Sequence, residues 1–338
     1  GLERKKILDE LKQVQDLNEE LKEILESEKK GRETIKTELA DIKAKYGDER
    51  RTKLIKHGLK DFNPEDLIPD EESVLVLTKG GYIKRTNPDE YRKQKRGGIG
   101  VVDLDTKEED FITHLVYATA HNDLLFFTDL GKAYQIKMYD IPEGKRATKG
   151  KSIMNFLSLS ENEKVTSILP MPKNKKEADG LALLMVTKDG TGKKSSAAHF
   201  HDVRRSGLIA ITLDDKDELM SAQFVGKSDD IVIATKDGQS IRFKESDIRE
   251  MGRNAAGVRV IKLGKGDEVI SADVVSKDAK NPALFVMGSN GYGKKTKLDE
   301  YKVQNRGGSG ILTMNVTDKT GPLMSAKVVT DTDEEIVA

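Results

Sequence analysis

The chain has 338 residues; 58 Lys and Arg balance 58 Asp and Glu, the formal net charge is zero, and there is no Cys. This length accommodates two or three domains, and the missing Cys excludes a disulfide scaffold, a thiolate zinc site and a thiol nucleophile. No apolar run nears the ~20 residues needed to span a bilayer, the charged opening is not expected to act as a secretory signal, and zero net charge at first argues against a polyanionic partner.

The chain opens on Gly1 rather than Met and reads as a piece of a longer, cytosolic protein. Residues 1–56 hold no Pro and only Gly1, Gly31 and Gly47. Ile7, Leu11, Val14, Leu21 and Leu25 follow a heptad spacing, with Asn18 in the vacant slot as a register residue. Leu8, Leu17 and Ile24 widen the stripe. Ser27–Gly31 interrupts it, and a second helix is predicted on Ile35, Leu39, Ile42 and Tyr46, with Gly47 at the C-cap. The expectation is a helix-turn-helix arm of a longer coiled coil, carrying no chemistry. Residues 57–73, with Asn63-Pro64 and Pro69, are expected to form an exposed linker strap.

Five repeats of about fifty residues follow, expected as blades over 74–122, 123–172, 181–229, 230–280 and 282–332, with a sixth starting at 333–338. Each opens on an apolar run, such as Leu124-Leu125-Phe126-Phe127, and meets a turn glycine: Gly81, Gly131, Gly190, Gly238 or Gly291. Thr78, Thr128, Thr187 and Thr235 precede four of these glycines by three positions. A second short strand completes a β-hairpin. Fifteen residues after each turn glycine stands an Arg (Arg96, Arg146, Arg205, Arg253, Arg306). Four of them open Arg-x-x-x-Gly, and the third repeat is two residues shorter there. A third strand follows, such as Val258–Ile261, and then a less regular fourth. Four short strands per repeat indicate a mainly β propeller over 74–338, preceded by the helical arm.

Charge recurs at one phase. The five segments from turn glycine to Arg loop carry an excess of +16, while the whole of 57–338 carries −1. Such in-phase recurrence should place a basic rim on one side of the ring, suited to a polyanion that bends around it. The sharpest motif is Gln94-Lys95-Arg96-Gly97-Gly98-Ile99-Gly100, extended by Arg92 and Lys93. Glycines let backbone N–H groups approach a phosphate, and Arg grips one bidentately. Candidate contacts elsewhere are Lys84 and Arg85 in the first repeat, Arg146 and Lys149 in the second, and Lys193, Lys194, Arg204 and Arg205 in the third. Arg242 and Arg253 continue the series in the fourth repeat, and Lys294, Lys295 and Arg306 in the fifth. No ordered set for reading bases is present, so any sequence preference is expected from DNA deformability.

Other chemistry is thin. His199 and His201 could share a strand face but lack Cys and any carboxylate partner except Asp202. Gly288–Lys295 approximates a P-loop but has Lys295 where Ser or Thr must hold Mg²⁺, and it coincides with the hairpin turn.

The box Gln94–Gly100 resembles the Gln-Arg-Arg-Gly-Gly-Lys-Gly box of the DNA gyrase A family. Tyr46–Thr52, Lys107–Phe111, Met251–Asn254 and Gly291–Lys294 also resemble that family, and the similarity covers essentially the whole chain. Lys95 replaces an Arg, and Ile99 stands where a basic residue is usual, removing one charge. The resemblance implies a β-pinwheel, a six-bladed propeller variant in which neighbouring blades exchange strands and DNA wraps around the basic rim with a positive hand. It implies a bacterial ATP-hydrolysing type IIA topoisomerase in which the gyrase B partner drives negative supercoiling within an A2B2 assembly. The location implied is cytoplasmic and nucleoid-associated, with no membrane partner. The helical part would belong to the coiled coil leading to the dimer interface. The catalytic tyrosine, ATP and Mg²⁺ would lie outside these residues, leaving no catalytic, cofactor or metal residue here. Two alternatives stand beside it: the related C-terminal domain of topoisomerase IV, whose box is usually degenerate, and a propeller that scaffolds proteins.

Overall fold

The computed structural model describes residues 2–49, 52, 64–90, 110–145 and 147–331, which divide into two compact units with the boundary between Phe62 and Asn63. The first unit is helical: α1 spans Leu2–Glu26 and α2 Glu28–Tyr46. The break between them is a single extended residue. Ser27 sits at φ −118° and ψ 108°, and its hydroxyl accepts from the Lys30 N–H at 3.4 Å, which makes it the N-cap of α2. The predicted cap Gly47 donates its N–H to the Lys43 carbonyl at 2.8 Å. Its φ is −70°, so crowding against Lys43, not a left-handed turn, calls for glycine there; an added Cβ would lie 2.3 Å from that carbonyl oxygen. The seam Ile7, Leu11, Val14, Leu21 and Leu25 is at least half exposed throughout.

The second unit begins with a 3₁₀ turn, Pro64–Leu67. The segment expected as an exposed linker strap is mostly exposed, and from there on it is also tethered. Glu65 pairs with Lys137 at 3.1 Å, the Ile68 carbonyl meets His121 Nε2 at 2.7 Å, and Asp70 accepts the His121 N–H at 2.9 Å and pairs with Lys173. Burial alone would raise the Asp70 pKa, but the Lys173 and His121 hydrogen bonds outweigh it and hold the carboxyl well below its usual range.

The repeats then supply strands in a constant order. The first gives β1 (Glu72–Thr78), β2 (Tyr82–Thr86) and β3 (Ile112–Thr119); the second gives β4 (Asp123–Thr128), β5 (Lys132–Lys137), β6 (Lys151–Ser152) and β7 (Val165–Pro170). After the short helix α3 (Lys175–Asp179), the third repeat gives β8 (Ala182–Thr187), β9 (Thr191–Ser196), β10 (Leu208–Ile209) and β11 (Leu219–Val225). The fourth gives β12 (Asp230–Thr235), β13 (Gln239–Lys244), β14 (Val258–Arg259) and β15 (Val269–Val275). The fifth gives β16 (Ala283–Gly288), β17 (Gly293–Lys297), β18 (Ile311–Leu312) and β19 (Leu323–Val329).

The sheets do not coincide with the repeats. Their orders are β3-β1-β2-β6, β10-β5-β4-β7, β11-β8-β9-β14, β15-β12-β13-β18 and β17-β16-β19. Each two-residue third strand therefore crosses to the hairpin of the preceding repeat, so the contiguous fifty-residue blades read from the sequence are interleaved at every junction. Among the described residues the fifth sheet has three strands, and the predicted third strand of the first repeat and start of a sixth blade lie outside them. The donated strand is shorter than the apolar run that announced it, because its second half turns inward. Ile153, Ala210, Val260 and Thr313 are buried, and each donates its N–H to the carbonyl of the turn glycine one repeat back, at 2.8–2.9 Å.

The core lies between neighbouring sheets. Leu124 and Phe126 pack with Leu75, Leu77 and Ile83 on one side, while Leu125 and Phe127 pack with Leu183, Met185 and Phe200 on the other. Side chains alternate faces along a strand. A first strand buried on both faces must then be apolar at every position, which explains the unbroken run. The turn threonines are buried for a second reason: the Thr78, Thr187 and Thr235 hydroxyls accept the N–H four residues on, at 3.1–3.2 Å, closing the hairpin from within. The last strands of successive sheets adjoin through side chains, as in His114 Nε2 to the Thr166 carbonyl at 3.0 Å and Ser221 Oγ to the Ala272 carbonyl at 3.2 Å.

Candidate nucleic-acid interface

The basic loops take their position from the strand exchange. Each loop leads into the donated strand, so it lies along the second strand of the preceding repeat. Arg85 bridges Glu143, Lys194 bridges Glu250 and Arg242 bridges Val303, each in parallel register. The glycine ending each loop permits this approach. Gly310 has φ +72°, and an added Cβ would lie 2.2 Å from the Ser240 carbonyl oxygen. Loops of the second repeat at Glu143, the fourth at Glu250 and the fifth at Val303 thus lie at equivalent blade junctions, and the loop holding Arg205 leads into β10 on β5. The side chain and backbone of Arg146 itself lie outside the described residues, as do Arg92, Lys93, Gln94, Lys95, Arg96, Gly97, Gly98, Ile99 and Gly100.

The remaining candidates fall into two groups. Lys149, Arg204, Arg205, Arg253, Lys294 and Lys295 are exposed. The Lys149 ammonium sits 3.8 Å from the centre of the Tyr82 ring, and Arg205 pairs with Asp140 at 2.6 Å while its side chain stays 57% exposed. These side chains face solvent where they stand.

The second group is committed to the fold. Lys84 and Lys193 are 1% and 0% exposed, so the expectation that they face a rim is corrected: neither amine can reach a phosphate where it stands. Lys84 Nζ donates to the Lys145 carbonyl at 3.2 Å, and Lys193 Nζ donates to the carbonyls of Ala210, at 2.6 Å, and of Arg253. Lys194 is buried and paired with Glu245. Arg85 donates from Nε to the Ile141 carbonyl at 2.8 Å. Arg242 forks onto Asp230 at 2.8 and 2.9 Å and reaches the Leu298 carbonyl at 2.8 Å. Arg306 donates to the carbonyls of Asp247 at 2.7 Å and Arg259 at 2.9 Å. All of these tie one repeat to another. A strand interior sandwiched between blades has no solvent, so a cation there must find carbonyls or carboxylates.

The turn ends of the strands are charge-compensated. Lys188 pairs with Glu218 at 3.6 Å and Glu268 at 3.3 Å, and Lys236 pairs with Glu268 at 3.3 Å. Burial opposes the Lys188 charge, yet the two glutamates win and raise its pKa. Among the loop cations Arg204 and Arg253 are exposed with no ion pair to a described carboxylate. Lys151 and Arg259, exposed on donated strands β6 and β14, join them. Sequence pattern gives their sign but not their exposure, which depends on the sheet that receives each donated strand.

The histidine pair does not converge. His201 Nε2 meets Asp179 at 2.9 Å and His199 is exposed. Among the described residues no group of three His, Asp or Glu side chains is arranged to hold a metal ion. Gly288–Gly293 forms the hairpin turn between β16 and β17, so no helix follows it as a P-loop requires.

Comparison with known proteins agrees with this architecture. The family described as "DNA gyrase C-terminal domain, beta-propeller" matches residues 72–118, 122–170, 182–225, 229–276 and 283–330, one match per repeat. The DNA gyrase A protein of Clostridium acetobutylicum is 45% identical over 334 residues, covering 99% of this chain and 39% of the relative. That of Lawsonia intracellularis is 41% identical, covering 98% and 40%. The chain thus spans about two fifths of the length of these relatives. Among solved structures, a DNA gyrase A C-terminal domain aligns with TM-score 0.66 and 29% identity over 77% of this chain and 84% of that one. A DNA topoisomerase IV C-terminal domain aligns with TM-score 0.62 and 23% identity, over 78% and 80%, a likeness of fold. With five consecutive family matches on five interleaved sheets, the chain belongs to the DNA gyrase C-terminal domain family of β-propellers.

Proposed function

We propose that the β-propeller unit binds double-stranded DNA without strong sequence preference and wraps it along the basic loops, serving supercoiling by a gyrase. The observation that carries this reading is the repeated placement of an Arg-bearing loop at blade junctions, with Lys149, Arg204 and Arg253 exposed in those loops and Lys294 and Lys295 exposed on β17. A stiff polyanion bends only if contacts recur along its path, and a ring of equivalent junctions supplies that recurrence. The box Gln94–Gly100, outside the described residues, belongs to the equivalent loop of the first repeat by its spacing from Gly81. A gyrase B partner, an A2B2 assembly and a nucleoid-associated location belong to the same proposal, as do ATP and Mg²⁺ bound elsewhere in the holoenzyme.

The test uses relaxed plasmid circles closed by a nicking-closing enzyme in the presence of the protein. Wrapping is expected to leave a positive linking difference that grows with protein added. Replacing both Lys95 and Arg96 by Ala is expected to reduce that difference far more than it reduces affinity. An unchanged linking number with saturating wild type would reject wrapping. Wrapping that survives the double replacement would reject the assignment of the box.

A further inference from the structure

The third residue after the turn glycine occupies one structural position in every repeat: Lys84, Tyr134, Lys193, Ile241 and Lys294. In the third repeat this side chain is fully buried at the junction with the fourth. Its ammonium donates to the Ala210 carbonyl at 2.6 Å and to the Arg253 carbonyl. The same loop is held by the Ser195 hydroxyl, which donates to the Met251 carbonyl at 2.8 Å, and by the Met251 N–H, which donates to the Lys194 carbonyl at 2.8 Å. The Lys193 amine is thus the fastener nearest to Arg253.

Among the described residues this ammonium has no counter-ion. The facing strand β8 carries no ionisable residue, and neither does Leu208–Ile211. The loop 251–254 contributes Arg253, of the same sign, and β14 contributes the exposed Arg259. Neighbouring Lys194 is neutralised by Glu245, whereas no described carboxylate stands within ion-pair distance of Lys193. Burial first, and the Arg253 charge second, bring the Lys193 pKa down to about 8. Two carbonyl dipoles hold the charge where an opposite ion would ordinarily be needed.

Other repeats show what the position does. Lys84 in the first repeat donates to the Lys145 carbonyl at 3.2 Å, holding the loop of the second repeat. In the second repeat Tyr134 takes the place, and the loop it faces is the one two residues shorter. Gly207 there lies so close that an added Cβ would be 2.5 Å from the Tyr134 ring.

We propose that Lys193 is a positioning residue for the DNA-facing loop of the fourth repeat: its buried ammonium ties the Arg253 carbonyl to that of Ala210, and a phosphate docked on Arg253 supplies the counter-charge the pocket lacks. The proposal rests on the DNA-wrapping reading. DNA then favours the ammonium over the amine, so binding takes up a proton at Lys193 in alkaline solution. If docking raises the pKa by one unit, affinity falls about fivefold between pH 7 and pH 9.

The experiment titrates a short duplex with the whole chain at fixed salt and pH 7, 8 and 9, using wild type, Lys193→Arg and Lys193→Met. Wild type is expected to lose about fivefold; Lys193→Arg, always charged, is expected to give a flat profile across the same pH range whatever its affinity at pH 7. Lys193→Met is expected to bind more weakly at pH 7 and also to stay flat. A flat wild-type profile, or a fall retained by either variant, overturns the proposal. If a variant fails to fold, calorimetry of wild type in two buffers of different ionisation heat at pH 8.5 decides: proton uptake on binding supports the proposal and none overturns it. Amide-exchange protection of Met251 and Ala255, whose N–H groups donate to the Lys194 and Gly252 carbonyls, is expected to fall above pH 8 in wild type without DNA. Wild type that binds no duplex at any pH refutes the wrapping reading and the DNA half of this proposal together; the exchange measurement then judges the clamp separately.

Discussion

Arg242 separates the two roles that a cation plays in this fold. Its guanidinium bonds Asp230 at 2.8 and 2.9 Å and the Leu298 carbonyl of the next repeat at 2.8 Å, and both side chains of the ion pair are 18% exposed. Arg242→Ala deletes the fork and leaves a mostly buried carboxylate unpaired. A loss of about 3 kcal/mol follows from the cost of stranding one partner of such a pair. Lysine retains the charge without the planar fork, so Arg242→Lys is expected to lose less, roughly half of that amount. Urea unfolding followed by far-ultraviolet circular dichroism measures the loss. In the same preparations, kept under folding conditions, duplex affinity is measured against salt. One phosphate contact removed lowers the slope of log K against log salt by about 0.9. The structure demands an unchanged slope with a lower urea midpoint. An unchanged midpoint with a slope reduced by about 0.9 would show that Arg242 serves DNA, and would refute the division drawn here between clamps and contacts.

Two further outcomes test the scaffold. Gly310→Ala places a Cβ 2.2 Å from the Ser240 carbonyl at a residue with φ +72°, so a loss of more than about 2 kcal/mol is expected in the same urea assay. A loss under about 0.5 kcal/mol would mean that the loop shifts freely, and with it the basis for a fixed junction geometry. His114, between the last strands of the first two sheets, has its pKa lowered by burial, which the hydrogen bond to the Thr166 carbonyl only partly opposes. The unfolded chain therefore binds the proton more readily, so stability contributed by neutral His114 is present above the unfolded value of about 6.5 and is lost as pH falls through it. Thermal melts between pH 5 and 7.5 should show this slope in wild type, and His114→Gln should flatten it; equal slopes would place the acid sensitivity elsewhere.

The architecture was legible where local chemistry repeats. Apolar runs such as Leu124–Phe127 announced strands buried on both faces, and turn glycines such as Gly131 announced the hairpins. Other features had no local signature. The third strands were visible as apolar runs, but nothing in Val258–Ile261 tells which sheet takes Val258, because register with β9 is set by a hairpin some sixty residues upstream. The segment at 64–71 has the Pro and acidic residues of a free linker, yet Asp70 finds His121 and Lys173, distant in sequence. Among the cations the sequence shows type and phase but not depth. Arg204 and Lys193 read alike, though one is exposed and the other sealed between blades.

The balanced net charge was the least informative number. By itself the sequence determined five repeats, their hairpins and a basic bias at one phase, because backbone propensity and side-chain sign are local properties that recur with the repeat. Tertiary structure alone decided which of those cations meet solvent. Strand exchange places the loop of one repeat against the second strand of another, and a positive charge enclosed there must be spent on carbonyls or carboxylates. Burial, which depends on all neighbours at once, turned Lys84, Lys193, Lys194 and Arg242 into fasteners and left Arg204, Arg253, Lys294 and Lys295 facing outward.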